Sequence, residues 1–398
     1  MSRTVLAALV ATVFVMSTQP VAAADLSGEI AFEGRLFPSD ALDARQQDTG
    51  LSVAFEPEFY HDWADGDQRF VVVPFVRWDL EDSERTHVDV RELYWRRSFA
   101  DEDLYIGLRK VFWGVTESVH LVDIVNQTDQ VENLDGEDKL GQPMIQLTLL
   151  RDWGTLDLFL MSGFRERTFA GSDGRLRPPL PIADESSYEA DLDQWQPDLA
   201  FRWSQILGDY DIGVGHFFGT SREPRLEIMT PDNSTGKAPE PKLVPHYDLL
   251  NQTNLDLQLT RGDWLAKLEA VHRDGFDGRS SATVAGLEYT LVGLLGNADL
   301  GIVAEGQYDS RDGAIADHDI AIGGRFTFND AQDTDVLAFT AIDADNGSSF
   351  TSVETNRRWR NSGEVRLEAR FFSNVDAADP IFAFRRDDYV QVEYVHFF

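Results

Sequence analysis

"YVQVEYVHFF" (Tyr389–Phe398) puts Val390, Val392, Tyr394, His396 and Phe398 on one side of an extended chain and Tyr389, Gln391, Glu393, Val395 and Phe397 on the other. A period of two belongs to the β-strand, whose successive side chains point to opposite faces. An edge strand of a soluble sheet would account for one such segment. The division recurs upstream, however. Val365, Leu367, Ala369 and Phe371 alternate with Glu364, Arg366, Glu368 and Arg370. Leu255, Leu257 and Leu259 alternate with Asn254, Asp256, Gln258 and Thr260, and Ile320, Ile322, Gly324, Phe326 and Phe328 stand opposite Gly323, Arg325 and Thr327. Segments of about ten alternating residues, repeated between turn residues, are the signature of a transmembrane antiparallel β-barrel, apolar outward and polar inward. Leu93-Tyr94-Trp95 and Phe159-Leu160-Met161 break the alternation, as the wall of a barrel plugged by a loop can.

Composition agrees with an all-β membrane protein. There is no cysteine, which removes disulfides, thiolate metal sites and cysteine nucleophiles. At 42% hydrophobic and 11% aromatic residues the chain is too apolar for disorder, and its net charge of −34 argues against nucleic acid as a partner. Residues 1–24 carry a basic Arg3, an apolar stretch from Val5 to Met16 and a small-residue end at Ala22, Ala23 and Ala24. That order predicts an export signal, leaving 25–398 as a single barrel domain. Beyond it no apolar run approaches the ~20 residues of a membrane helix.

The connections alternate in length. Short turns fall at Asp65-Gly66-Asp67, Ala100-Asp101-Glu102, Asp152-Trp153-Gly154, Gly208-Asp209, Arg261-Gly262-Asp263, Asn329 to Asp333 and Arg360-Asn361-Ser362. Long links cover 37–49, 113–141, 166–197, 221–246 and 374–386. Short periplasmic turns and long extracellular loops are the pattern of bacterial barrels, which have an even strand number. The segments count to eighteen strands, or to sixteen if a weaker one belongs to a loop.

Two resemblances sharpen this reading. The ending, with Tyr394 and Phe398 on the apolar side, resembles the terminal-phenylalanine assembly signal of outer-membrane barrels. "LYIGLRKVFWGVTESVHLVDIVNQTD" (Leu104–Asp129) is similar to a segment of a poorly characterised set of porin-like outer-membrane proteins of Gram-negative bacteria. There a strand ending in Gly-Arg/Lys-x-x-x-Trp-Gly is followed by Asp-x-x-Asn-x-x-Asp. Lys110, Trp113, Gly114, Asp123, Asn126 and Asp129 stand at the matching places, while Leu108 separates Gly107 from Arg109. The resemblance implies an outer-membrane location, contact with lipid and lipopolysaccharide, passage through the barrel assembly machinery and a homo-oligomer in the manner of porins. It brings no substrate with it.

Residues 113–141 are too many for a hairpin and mix Val119, Leu121, Val122, Ile124 and Val125 with Glu117, Asp123, Asp129, Glu132 and Asp135. A water-exposed loop has no need of that apolar group, so the segment is expected to fold into the barrel and narrow it. Its acids would face Arg91, Arg109 and Lys110 on the wall, giving a transverse field that favours cations. The alternative is a solvated loop over the mouth, with Trp113-Gly114 as a boundary aromatic and a turn. The expected function is a channel for ions or small solutes, cation-preferring and without a cofactor. Two other readings stand beside it: a barrel-anchored binding protein with acidic loops, and a hydrolase built on Ser118, His120 and Asp123.

Overall fold

The computed structural model describes residues 25–230, 241–276, 278–311 and 313–398, so the expected export signal at 1–24 lies outside the described residues. The wall begins with β1 (Asp25–Leu36), β2 (Thr49–Trp63), β3 (Gln68–Asp79), β4 (His87–Ser98), β5 (Glu102–Arg109), β6 (Gln142–Arg151) and β7 (Gly154–Met161). After β8 (Ser187–Tyr188), a loop strand, it resumes with β9 (Asp198–Leu207) and β10 (Tyr210–Thr220). A second excursion holds β11 (Arg225–Met229) and β12 (Lys242–Tyr247). The wall continues through β13 (Leu249–Arg261), β14 (Trp264–Gly275), β15 (Gly278–Leu295), β16 (Ala298–Asp309) and β17 (Asp319–Thr327). It ends with β18 (Asp335–Asp343), β19 (Ser349–Trp359), β20 (Gly363–Ser373) and β21 (Tyr389–Phe397).

Leaving out β8, β11 and β12, these strands make one 18-stranded sheet. Each wall strand pairs antiparallel with its neighbours along the wall. β1 also pairs with β21, Phe32 opposite Tyr394, which closes the cylinder and removes both edges. Closure pairs the backbone of each wall strand with its neighbours rather than with water, the condition for lying in lipid.

Side-chain alternation then decides inside from outside. Ile322, Leu287 and Val392 are 56%, 53% and 49% exposed, whereas inward-facing Gln252, Glu269 and Glu305 are buried. This inverts the distribution of a water-soluble protein. Each outward Leu, Ile or Val gains about 2 kcal/mol when its surface leaves water, so the wall calls for a hydrocarbon surround. Trp78, Trp264 and Trp359 stand outward near strand ends, where amphipathic rings suit a lipid boundary.

At one end the connections are short; the turns at 208–209 and 262–263 carry left-handed glycines, Gly208 at φ 64° and Gly262 at φ 62°. A further two-residue turn, Gly296-Asn297, joins β15 to β16, whose register shifts between Leu291 and Leu295. At the other end lie the long links 37–48, 110–141, 162–197, 221–248 and 374–388. There β12 pairs with β11 and, in parallel, with β8, a small sheet built from two of these loops.

Candidate functional site

The link between β5 and β6 turns into the lumen and crosses it as a strap. Its apolar side makes a core where a barrel would otherwise hold water. Trp113, Val122, Ile124 and Val125 pack with Met144, Phe159 and Met161 of the near wall and with Phe217, Val271 and Ala282 further round. The Trp113 ring lies 5.7 Å from that of Phe159. This explains the broken alternation at Phe159-Leu160-Met161: the wall is apolar on its inner face where the strap leans on it. Trp113 is consequently interior rather than a lipid-boundary aromatic.

The polar motif of the strap fastens it in place. Asn126 donates to the carbonyls of Arg109 (2.7 Å) and Leu140 (2.8 Å) and accepts from the Val111 amide (2.8 Å), tying outgoing to returning chain. Asp123 accepts from the amides of Trp113 (2.6 Å) and Gly114 (3.0 Å). A Cβ on Gly114 would come within 2.5 Å of the His120 ring, so only glycine allows the two limbs this close. Asp129 is buried between the Arg91 guanidinium and the Thr168 hydroxyl (2.5 Å).

Two carboxylates of the far wall hold the tip. Glu269 on β14 accepts from the amides of Val115 (2.6 Å), Thr116 (3.0 Å) and Val122 (3.1 Å) and from the Thr116 hydroxyl (2.8 Å). Glu305 on β16 accepts from the amides of Glu117 and Ser118, both 2.9 Å, and from the Ser118 hydroxyl. Glu117 itself bridges Arg325 (2.6 Å) and Lys267 (3.4 Å). His120 sits between Glu137 (2.6 Å) and Glu269 (3.8 Å). Burial alone would lower its basicity, but the hydrogen bond to Glu137 and the nearby charge of Glu269 prevail and raise its pKa to about 10.

The predicted charges therefore divide. Asp123 and Asp129 are fasteners, Glu117 is neutralised by two wall bases, and Glu132 lies against Arg77 at 2.7 Å. Asp135 is exposed and meets Arg370 at 2.8 Å. Of the wall bases, Arg91 does face a strap acid. Arg109 instead donates to Gln146 and lies 3.8 Å from the centroid of the Tyr105 ring, and the Lys110 amide donates to Glu92 at 3.2 Å. Bases that the sequence reasoning passed over complete the set: Arg35, Arg77 and Arg85, clustered on buried Glu33. For Arg35 and Arg77 the signal was present, since both occupy inward positions of their strands; Arg85 comes from the link between β3 and β4, where no periodicity applies.

Open space remains beside the strap. A cavity of about 560 Å³ lies against β17 to β20, and one of about 420 Å³ lies against β1 to β3, β20 and β21. Asp135, Glu137 and Glu354 line both, so three carboxylates stand where the two cavities adjoin. Beside them Asp138 is open to water in the lumen, yet desolvation in so enclosed a position, with the charges of Asp135 and Glu132, raises its pKa above the usual carboxylate range, to about 7.

No family model and no curated protein matches the chain. Among solved structures it is similar to OmpT, an outer membrane protein of Vibrio cholerae in trimer form. The TM-score is 0.48 and the identity 10%, over 94% of this chain and 99% of that one. A triple mutant of Rhodopseudomonas blastica porin aligns with a TM-score of 0.47 and 10% identity, over 94% of this chain and all of the other. The closed antiparallel ladder of eighteen strands defines the membrane-barrel fold by itself.

Proposed function

We propose that the protein is an outer-membrane channel through which ions and small hydrophilic solutes diffuse, with a preference for cations. The observation that supports this reading is the pair of charged cavities beside the strap, adjoining at Asp135, Glu137 and Glu354 inside a closed wall. A low-dielectric wall focuses the field of unequal charges on a passing ion. On this reading residues 1–24 direct export, the short turns face the periplasm, and Tyr394 and Phe398 mark the last strand for the assembly machinery.

Purified protein should conduct in a planar bilayer, with a reversal potential in a salt gradient of the sign given by cation flow. Asp135→Asn or Glu354→Gln should lower cation permeability by a factor of about five, and raise anion permeability comparably, where the ion passes within ~4 Å through water. Asp123→Asn should act on the strap's stability instead. Electrical silence of correctly folded barrels would refute the channel.

The geometry speaks against the hydrolase. Ser118 is bonded to Glu305, His120 to Glu137, and Asp123 to backbone amides, whereas nucleophile, base and orienting group must converge on one another.

A further inference from the structure

The larger cavity has a lining that ion diffusion does not explain. Inward positions of a wet barrel are expected to be polar, yet Phe339 of β18, Phe350 of β19 and Phe372 of β20 all project inward. They form a continuous row with Phe384 of the link between β20 and β21, ring centroids 6.3, 5.4 and 5.7 Å apart in succession. Phe372 is buried in a core with Phe37, Leu176 and Tyr389, on which Phe350 and Phe384 pack, whereas Phe339 and Phe350 are only half-buried and line the cavity. Space in front of them is left by small inward neighbours. Ala321 and Gly323 on β17 stand opposite Ala341 and Phe339, and a Cβ on Gly323 would come within 2.5 Å of Phe339.

The ends of this apolar strip are anionic. At the loop end Asp319 and Asp343 pair across β17 and β18, and Asp319 Oδ1 is buried with no hydrogen-bond partner. At the inner end lie Asp135 and Glu354. Carboxylates outnumber guanidinium groups around the cavity. Arg325 and Arg370 are already engaged, by Glu117 and by Asp135, Glu354 and Glu368 respectively.

We infer that this cavity is a binding subsite for amphipathic organic cations, molecules joining an ammonium group to an aromatic or short alkyl body. The ammonium supplies the donor that Asp319 lacks, and the apolar body lies on the rings of Phe339 and Phe350, whose faces also attract positive charge. An inorganic cation meets only the carboxylates, an apolar neutral solute only the rings, and an organic anion is repelled by the lining. The inference deepens the channel reading and rests on it.

The test uses the full protein in planar bilayers, with 2-phenylethylammonium as probe and tetramethylammonium and benzenesulfonate as controls. Burying roughly half a ring against the phenylalanine row makes 2-phenylethylammonium block at concentrations about tenfold lower than tetramethylammonium. Benzenesulfonate does not block. Phe339→Ser removes the advantage of the aromatic probe over tetramethylammonium, whereas Asp319→Asn weakens both cations, each measured against that variant's own salt current. Equal block by the two cations, block by benzenesulfonate, or block indifferent to both substitutions overturns the subsite. Absence of salt current refutes the channel alone. Calorimetric binding of 2-phenylethylammonium to the folded barrel then decides the subsite: heat lost in Phe339→Ser upholds it, and no heat overturns it.

Discussion

At the scale of single residues, one asparagine and one histidine do more than their surface chemistry suggests. Asn126 satisfies a donor and two acceptors at the base of the strap, and no other side chain has an amide's paired donor and acceptor at that length. Asn126→Ala should destabilise the barrel by about 3 kcal/mol, since one buried and two half-buried backbone groups lose partners; denaturant unfolding followed by tryptophan fluorescence measures this. His120 makes the tip sensitive to alkali. Its folded-state pKa of about 10 lies above the free value of 6.5. The stabilisation is therefore complete below about 6.5 and is lost as pH rises through about 10. Channel current should become noisy above that pH, and Glu137→Gln should move the onset lower, because the strongest hydrogen bond raising the pKa is weakened.

At the scale of elements, the strap is a second layer inside a one-layer wall, and it depends on carboxylates that the wall contributes. Glu269→Ala would leave three amides of the tip without their acceptor, while the Thr116 hydroxyl keeps the Val119 carbonyl. The tip should detach at a cost to docking of about 3 to 5 kcal/mol, seen as a larger and less regular single-channel conductance. Asp138 sets a second dependence on pH. Its raised pKa means that the folded state holds the proton up to about 7 and loses stability as pH climbs from the ordinary carboxylate range towards that value. Above it a further negative charge stands by Asp135, so cation preference should rise as pH passes through about 7, and Asp138→Asn should abolish the step. The strands were legible because a wall with lipid on one side and water on the other imposes a period of two. The strap's entry into the lumen was legible too, from apolar residues that no exposed loop needs. Its charge partners were not. Asp123 and Asp129 read as pore acids because a sequence does not distinguish a carboxylate facing water from one facing backbone amides, and Glu269 and Glu305 lie too far along the chain for any spacing to link them to the tip.

At the scale of the whole molecule, a net charge of −34 is carried without collapse because the ionised groups are spread over the lumen and the loops, many of them beside guanidinium groups. Such a field is screened by salt. The cation-to-anion permeability ratio should decline between 0.1 M and 1 M salt, as the screening length falls from about 10 Å to about 3 Å; reversal potentials across equal concentration ratios would show it. A ratio independent of salt would mean that selectivity comes from ion pairs within the narrowest region alone. The seam between β1 and β21 carries a further consequence. Phe32 meets Tyr394 across it, so the first and final hairpins have to find each other across nearly the entire polymer, the costliest ring closure the chain could make. Until that ring shuts, an unzipped ribbon exposes two unpaired borders, each a template for pairing with another chain.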